Sequence, residues 1–291
     1  MINQTTRDAI DTLWARYREL ARGNEEALAE ITLAEVPEAV HQSNAIESST
    51  LTLADTEAVL TAGVVPRGLR LREVHEAQNL ATVTRDLLTC DEPLSVELIL
   101  RWHTTLLTNI DDAWAGRFRR AGEWVRVGGH LGAHPEFAPG LVRDAIDTYH
   151  ADEGYFLDTA ARFHAEFEVI HPFADGNGRI GRVVINHQLQ QRGLPPVIVR
   201  AKGRHTHYYP LLDQYAKTDR HDGLTTLLAL LLRESLHKRI AYLSGSHVVP
   251  LPTWAKTHSV RGNVAANKAR RQTIPAFRLR DRWAISADFR P

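Results

Sequence analysis

Residues 171–182, HPFADGNGRIGR, gather one histidine, one aspartate, three glycines and two arginines within twelve positions. Each type has a task in moving a phosphate-linked group. A glycine-rich turn that opens a helix leaves backbone N–H groups pointing outward without an internal acceptor. With the helix dipole, those donors favour an anion, typically phosphate. Gly176 and Gly178 let the backbone approach it closely, because neither has a β-carbon. Arg179 and Arg182, three apart, can share one side of the new helix and clamp phosphate oxygens. Asp175 stands where a carboxylate can hold Mg²⁺ between phosphates. His171 ends the preceding apolar run and can take a proton from an attacking hydroxyl. Together they describe transfer from a nucleotide to a hydroxyl group. A capping histidine with helix-terminating glycines would account for a lone GxG, but not for the whole string.

The elements that must hold these residues read mostly as helices. Ile10, Leu13, Trp14, Tyr17 and Leu20 recur at helical spacing, as do Phe156, Ala160, Phe163, Phe167 and Ile170 just before the motif. Leu232, Leu236, Ile240 and Leu243 repeat the pattern, and Pro195-Pro196 require the helix after the motif to have stopped. Strand signals are few: EWVRVGG (123–129) reads as a short hairpin, and AFRLRDRWAIS (276–286) as a second one around Asp281. SGSHVVPLP (244–252) reads as a linker.

At 291 residues, 43% hydrophobic and 24% charged, the chain has the composition of a soluble globular protein with one large and one smaller domain. No apolar run reaches the roughly 18 residues of a membrane span, the start carries no apolar export signal, and the single Cys90 excludes an internal disulfide framework. A cytoplasmic location without membrane contact is therefore expected. Net neutrality conceals an asymmetry. From Val249 onward there are nine Lys/Arg and two acidic residues, Asp281 and Asp288, so an acidic body is joined to a basic tail.

The pattern HPFxDGNGRxxR is met in full, and over roughly residues 40–243 the chain resembles the Fic (filamentation induced by cAMP) family. The resemblance implies a mainly α fold, a helical bundle with a small β-hairpin flap over the active site. It makes His171 the general base and Asp175 the Mg²⁺ carboxylate, with Gly176, Asn177, Gly178, Arg179, Ile180, Gly181 and Arg182 binding nucleotide. The family's usual reaction moves AMP from ATP to a Ser, Thr or Tyr hydroxyl of a target protein and releases pyrophosphate. GRFRRAGEWVRVGGH (116–130) is similar to the flap, with Val125, Arg126, Val127 and Gly128 against the nucleotide and an edge able to dock the target peptide. HYYP (207–210) is similar to a tyrosine pair around adenine, Tyr208 and Tyr209. A polar residue that some relatives carry seven positions later is Ala216 here.

SNAIESSTLTLADTEAVL (43–60) reads as two helices around a Ser/Thr-rich turn and resembles the family's inhibitory signature [ST]xxxE[GN] through Ser43 and Glu47. Ser48 departs, standing where Gly or Asn is usual. By this likeness Glu47 pairs with Arg182 and denies it to the γ-phosphate; in some relatives the same glutamate supports removal of AMP. The last segment, read as helix, turn, helix and hairpin, resembles an excisionase-type winged helix that would bind duplex DNA. A basic protein-docking element stays open. The expected division is 1–110 N-terminal helices with the inhibitory segment, 111–243 catalytic core, 244–250 linker and 251–291 winged-helix-like module. The leading expectation is a self-inhibited protein adenylyltransferase using Mg²⁺ and ATP. A DNA-binding regulator with a nucleotide-sensing core, a de-AMPylating enzyme, transfer of UMP or phosphocholine, and a homodimer are left open.

Overall fold

The structure, a computed structural model, describes residues 2–290. It is mainly helical, and the chain forms two compact units, residues 35–193 with 198–225, and residues 2–34 with 194–197 and those from 226 onward. The division expected at residue 110 does not occur. Helices α4 (Leu71–Thr89) and α5 (Val96–Leu107) pack on α8 (Asn177–Gln190). Leu80 and Trp102 thus share one buried core with Phe167, Ile180 and Val184, and the early helices cannot form a separate body.

The first unit also holds most of α2 (Glu25–Ile46), α3 (Leu53–Glu57), α6 (Ala138–Ala151), α7 (Phe156–Ile170) and α9 (Tyr209–Thr218). The apolar stripe on α7 buries Phe163 and Phe167 in the core, and Phe173 follows them just beyond the helix. The flap hairpin is shorter and later than expected: β1 (Arg126–Val127) pairs with β2 (His130–Leu131), so Gly128 and Gly129 form its turn instead of its end. Gly128 has φ 54° there, a conformation that suits a residue without a β-carbon.

The second unit carries α1 (Gln4–Ala21) and, from its own apolar cluster, β3 (Val248–Pro250), α11 (Leu251–Thr257), α12 (Gly262–Arg270), β4 (Phe277–Leu279) and β5 (Arg282–Ser286). Its sheet has the order β3-β5-β4. The linker expected at 244–250 is strand from Val248, paired through Val249↔Ile285 and Pro250↔Ala284. Pro250, lacking an N–H, is accommodated because β3 is an edge strand. Most of α10 (Asp222–Leu243) lies in this unit and holds the hairpin: Glu234 accepts a bond from Arg278 Nη1 at 2.8 Å. Among the described residues, no helix is long and apolar enough to cross a membrane.

Local geometry explains the Ser48 departure. After α2 the chain reverses with Ser48 at φ 72°, while Ser49 N–H bonds back to Asn44 O at 3.0 Å. A left-handed residue closing a helix is the position where Gly or Asn is preferred. Serine costs about 1–2 kcal/mol there, of which glycine would recover part after its own entropic loss. Ser48→Gly should therefore stabilise the protein by about 1 kcal/mol, read as a higher urea midpoint at unchanged slope; a lower midpoint would contradict this account.

Candidate active site

Helix α7 ends at His171, which caps it with φ 49° while its N–H bonds to Phe167 O. The imidazole Nδ1 lies 3.1 Å from the carbonyl of Glu168, which can only accept, so Nδ1 carries the hydrogen and Nε2 keeps its lone pair. Burial holds the His171 pKa down to about 4, so the ring is neutral at physiological pH and able to act as a base. Arg119, nearly fully buried, fixes the surrounding backbone: its Nε donates to His171 O at 2.8 Å and its Nη2 to Ala133 O at 2.8 Å. Ala133 N–H also donates to Ile170 O at 3.0 Å, tying the segment after the flap to the end of α7.

The turn between α7 and α8, residues 171–176, is pinned beyond His171 by neutral groups. Asn177 accepts from Phe173 N–H and donates to Phe173 O, both at 2.8 Å. His103 of α5 donates through Nε2 to Asp175 O at 3.0 Å and accepts Gly116 N–H at Nδ1. Its ring stacks on Phe173 with centroids 3.7 Å apart, and burial lowers its pKa to about 4. Gly176, at φ 83°, then starts α8, and the first N–H groups of that helix have no partner within it.

Arg126, Val127, Gly128, Asp175, Gly176, Asn177, Gly178, Arg182, Tyr208 and Tyr209 line one cavity of about 580 Å³, together with His171 and Glu47. That volume suits a small-molecule ligand. Other expected residues lie outside its lining. Val125 accepts Gly132 N–H behind the flap. Ile180 is fully buried in the core, and Gly181 faces the Glu168 carboxyl, leaving no room for a β-carbon. Arg179 does not join Arg182: its Nη2 bonds Asp175 Oδ1 at 2.9 Å and its Nη1 lies 3.4 Å from Glu76. Three residues of helix leave their side chains 60° apart, and the long arms diverge.

Glu47, in the turn just after α2, reaches the N-terminal turn of α8. Its Oε1 accepts from Arg182 Nη2 at 2.8 Å, and it crowds Gly178 so closely that a β-carbon there would collide with it. Arg182 also donates from Nε to Ser43 Oγ at 2.9 Å and from Nη2 to Ser43 O at 3.0 Å. Burial works most strongly against the guanidinium charge, but Glu47, Tyr208 and Glu168 together outweigh it and raise the Arg182 pKa. The turn carrying Glu47 is fixed by Tyr209 OH donating to Ile46 O at 2.9 Å, and by Glu73 receiving the Thr50 N–H at 2.6 Å.

Asp175 is a hard oxygen donor on the cavity wall. Burial opposes its ionisation, yet Arg179, the Gly176 N–H and Arg72 together lower its pKa. No group of three or more His, Cys, Asp or Glu among the described residues could hold a metal alone. A lone carboxylate aimed at cations fits Mg²⁺, which takes one or two carboxylates and completes its shell with phosphate and water.

Sequence reasoning missed His103, Arg119, Arg72, Glu168 and His164. The last two had a signal: His164, Glu168 and His171 are spaced by four and three along the polar edge of an apolar helix. Tyr208 is buried and its hydroxyl lies 2.6 Å from His164 Nε2. The buried Oε1 of Glu168 has no hydrogen-bond partner, and Oε2 lies 3.9 Å from His171 Nδ1.

Residues 93–189 match the model of the Fic/DOC family. Protein adenylyltransferase fic-1 of Caenorhabditis elegans is 33% identical over 181 residues, 59% of this chain and 35% of that protein. Protein adenylyltransferase Fic of Nematostella vectensis is 29% identical over 219 residues, 73% of this chain and 50% of that one. The chain thus spans between about a third and a half of the length of these curated relatives. A Fic-domain-containing signalling protein from Bacteroides thetaiotaomicron superposes with a TM-score of 0.73 over 81% of this chain and 98% of that one, at 23% identity, a likeness of fold.

The buried Glu168 carboxyl gives a pH test of this geometry. Burial raises its pKa to about 8, with Arg182 opposing and Glu47 adding to the rise. In the folded state it keeps its proton between the ordinary carboxyl pKa and about 8, where the unfolded chain loses it. The unfolded state then binds fewer protons, so the group costs stability that grows with pH across that window, to about 3 kcal/mol near neutrality. Glu168→Gln should therefore gain on the wild type from pH 5 to pH 8 and show no such gain near pH 4. Urea denaturation along a pH series checks it, and a difference that stays constant with pH would refute the raised pKa.

Proposed function

From a chain that carries a Fic/DOC-family domain over residues 93–189, we infer a protein adenylyltransferase that moves AMP from ATP to a hydroxyl of a target protein and is held back by its own Glu47. The observation that carries this reading is the unprotonated Nε2 of His171 in the same cavity as the α8 N-terminus, Asp175 and Arg182. The names of the similar proteins support the choice of nucleotide and group transferred.

In this reading the N-terminal turn of α8 receives the phosphates and Arg182 the γ-phosphate. The target segment lies along the flap edge and brings its hydroxyl to His171. Nε2 takes the hydroxyl proton as the oxygen bonds to the α-phosphorus, and the bond from that phosphorus to pyrophosphate breaks with its electron pair on the leaving group. The His171 imidazolium keeps its orientation through Nδ1–H and the Glu168 carbonyl. Mg²⁺ at Asp175 would neutralise phosphate charge. Glu47 restrains transfer because its carboxylate already occupies both Arg182 and the space over Gly178.

Removing Glu47 frees a charge-assisted bond of about 1.5–3 kcal/mol for the phosphate tail, roughly a ten- to hundredfold gain in productive ATP binding. Glu47→Gly should accordingly raise AMP incorporation well above wild type at equal ATP, scored by mass spectrometry of the protein itself and of a lysate. Adding His171→Ala should abolish incorporation while ATP affinity, measured by calorimetry, stays nearly unchanged. Equal incorporation with and without Glu47 would remove the brake, and incorporation that survives His171→Ala would remove the base.

We propose further that the second unit binds duplex DNA through α12 and the β4–β5 hairpin. Arg261, Arg270 and Arg271 are exposed on or beside α12, and Arg280 and Arg282 on the hairpin. Arg278 does not contribute, being engaged by Glu234 and stacked 3.9 Å over Trp283. Fluorescence anisotropy with the full chain should give binding that weakens steeply with salt and is lost when Arg270 and Arg271 are both replaced by alanine. Absence of binding at low salt would leave a protein-docking element.

A further inference from the structure

Asp175 has two oxygens, and both are taken. Oδ1 accepts the Gly176 N–H at 2.6 Å and Arg179 Nη2 at 2.9 Å; Oδ2 accepts Arg72 Nη2 at 2.6 Å. The two arginines differ in kind. Arg179 is buried in the loop's own framework, whereas the Arg72 side chain is 54% exposed and comes from α4, more than a hundred positions away. Arg72 therefore covers the outer oxygen, where a cation arriving from solvent would bind.

Helix stability does not account for its placement. Arg72 lies in the first turn of α4, where the positive end of the helix dipole disfavours a cation. Two carboxylates hold it there: Asp175, and Glu76 one turn along, whose Oε1 is 3.1 Å from Arg72 Nε. Glu76 also lies 3.4 Å from Arg179 Nη1, so two arginines and two carboxylates alternate around the mouth of the loop. Such an arrangement is satisfied without a metal. It also has one member, Arg72, that can leave into solvent without exposing a buried charge.

We propose that Arg72 is a displaceable resident cation at Asp175, which a divalent metal must evict before it can bind. The consequence is a second restraint on the site, acting on the metal carboxylate from α4 while Glu47 acts on Arg182 from the turn just after α2. Because an exposed ion pair is weak, Arg72 would not prevent metal binding. It would raise the concentration required, so that metal delivered together with a triphosphate is favoured over free metal. Arg72 lies outside the stretch matched by the family, so this control can belong to the chain without being part of the shared motif.

The proposal rests on Asp175 being a metal carboxylate, and one experiment separates the two ideas without requiring turnover. Mn²⁺ alone is titrated into the ¹⁵N-labelled full chain, and paramagnetic broadening of the Gly176 amide resonance reports occupancy at Asp175. Arg72→Gln should bind Mn²⁺ about two- to fivefold more tightly than wild type at low salt, a gain that shrinks as salt rises. Arg70→Gln removes the same charge two residues away and should change affinity little; Asp175→Asn should abolish site-specific broadening. If Asp175→Asn loses the broadening while Arg72→Gln matches wild type or Arg70→Gln, the resident-cation idea is overturned and the metal site stands. If Asp175→Asn leaves the broadening intact, the metal assignment fails and the proposal falls with it.

Discussion

A guanidinium that cannot give up its proton is buried at Arg182, and much of the site follows from the need to compensate it. An uncompensated buried charge costs several kcal/mol. Ser43 in the last turn of α2 supplies two oxygens and Glu47 just beyond it a third, so satisfying Arg182 also docks that helix against α8. Tyr209 and Glu73 hold the following turn, and the carboxylate arrives in place without a loop having to be ordered. The division of labour matters. The two bonds to Ser43 can keep Arg182 oriented when Glu47 is absent, so the carboxylate is separable from the scaffold that presents it.

Charge is distributed around the loop in a consistent way. Of the groups that fix its shape, Asn177 and His103 are neutral, the latter because burial holds its pKa near 4, while the Arg119 guanidinium holds the His171 carbonyl. The ionic groups nearby are tied to one another: Arg182 with Glu47, both on the cavity lining, and Asp175 of the lining with Arg179 and Arg72, which lie outside it. The backbone of the turn is thus held largely by contacts other than those of the ionic edge. His171 belongs to both sets. Its Nδ1 is part of the frame, and the residue also lines the cavity.

What could be read from sequence divides along the same line. The twelve-residue motif was legible because its members are consecutive, and a plain helix-to-helix turn has no need of a histidine, an aspartate and two arginines together. The helices were legible from spacing, and the helix ending near Glu47 and the last hairpin fell where the pattern put them. His103, Arg119 and Arg72 were not legible, since each meets the motif from 52 to 103 residues away and carries no local pattern. Compact-unit boundaries failed for a related reason: Trp102 and Phe167 share a core although nothing local in either segment announces the other. Ser48 is the instructive intermediate. Its departure from the usual residue was visible in the sequence, but its meaning required the backbone angle.

The fate of Arg179 bears on why one carboxylate can be enough to restrain the site. Two arginines at i and i+3 suggest a clamp with two arms on the same phosphates. The structure gives one arm to Asp175 and Glu76, leaving Arg182 to face the cavity. If both arginines reached the triphosphate, blocking Arg182 would leave an alternative anchor, and Glu47 would reduce binding without disturbing its pose. With Arg179 committed to Asp175, the start of α8 offers the proposed phosphate tail one arginine, Arg182. Its occupation by Glu47 then removes the anchor that would align the α-phosphate with His171. The effectiveness of the brake would thus depend on a pairing on the opposite side of the loop, between residues that never touch Glu47.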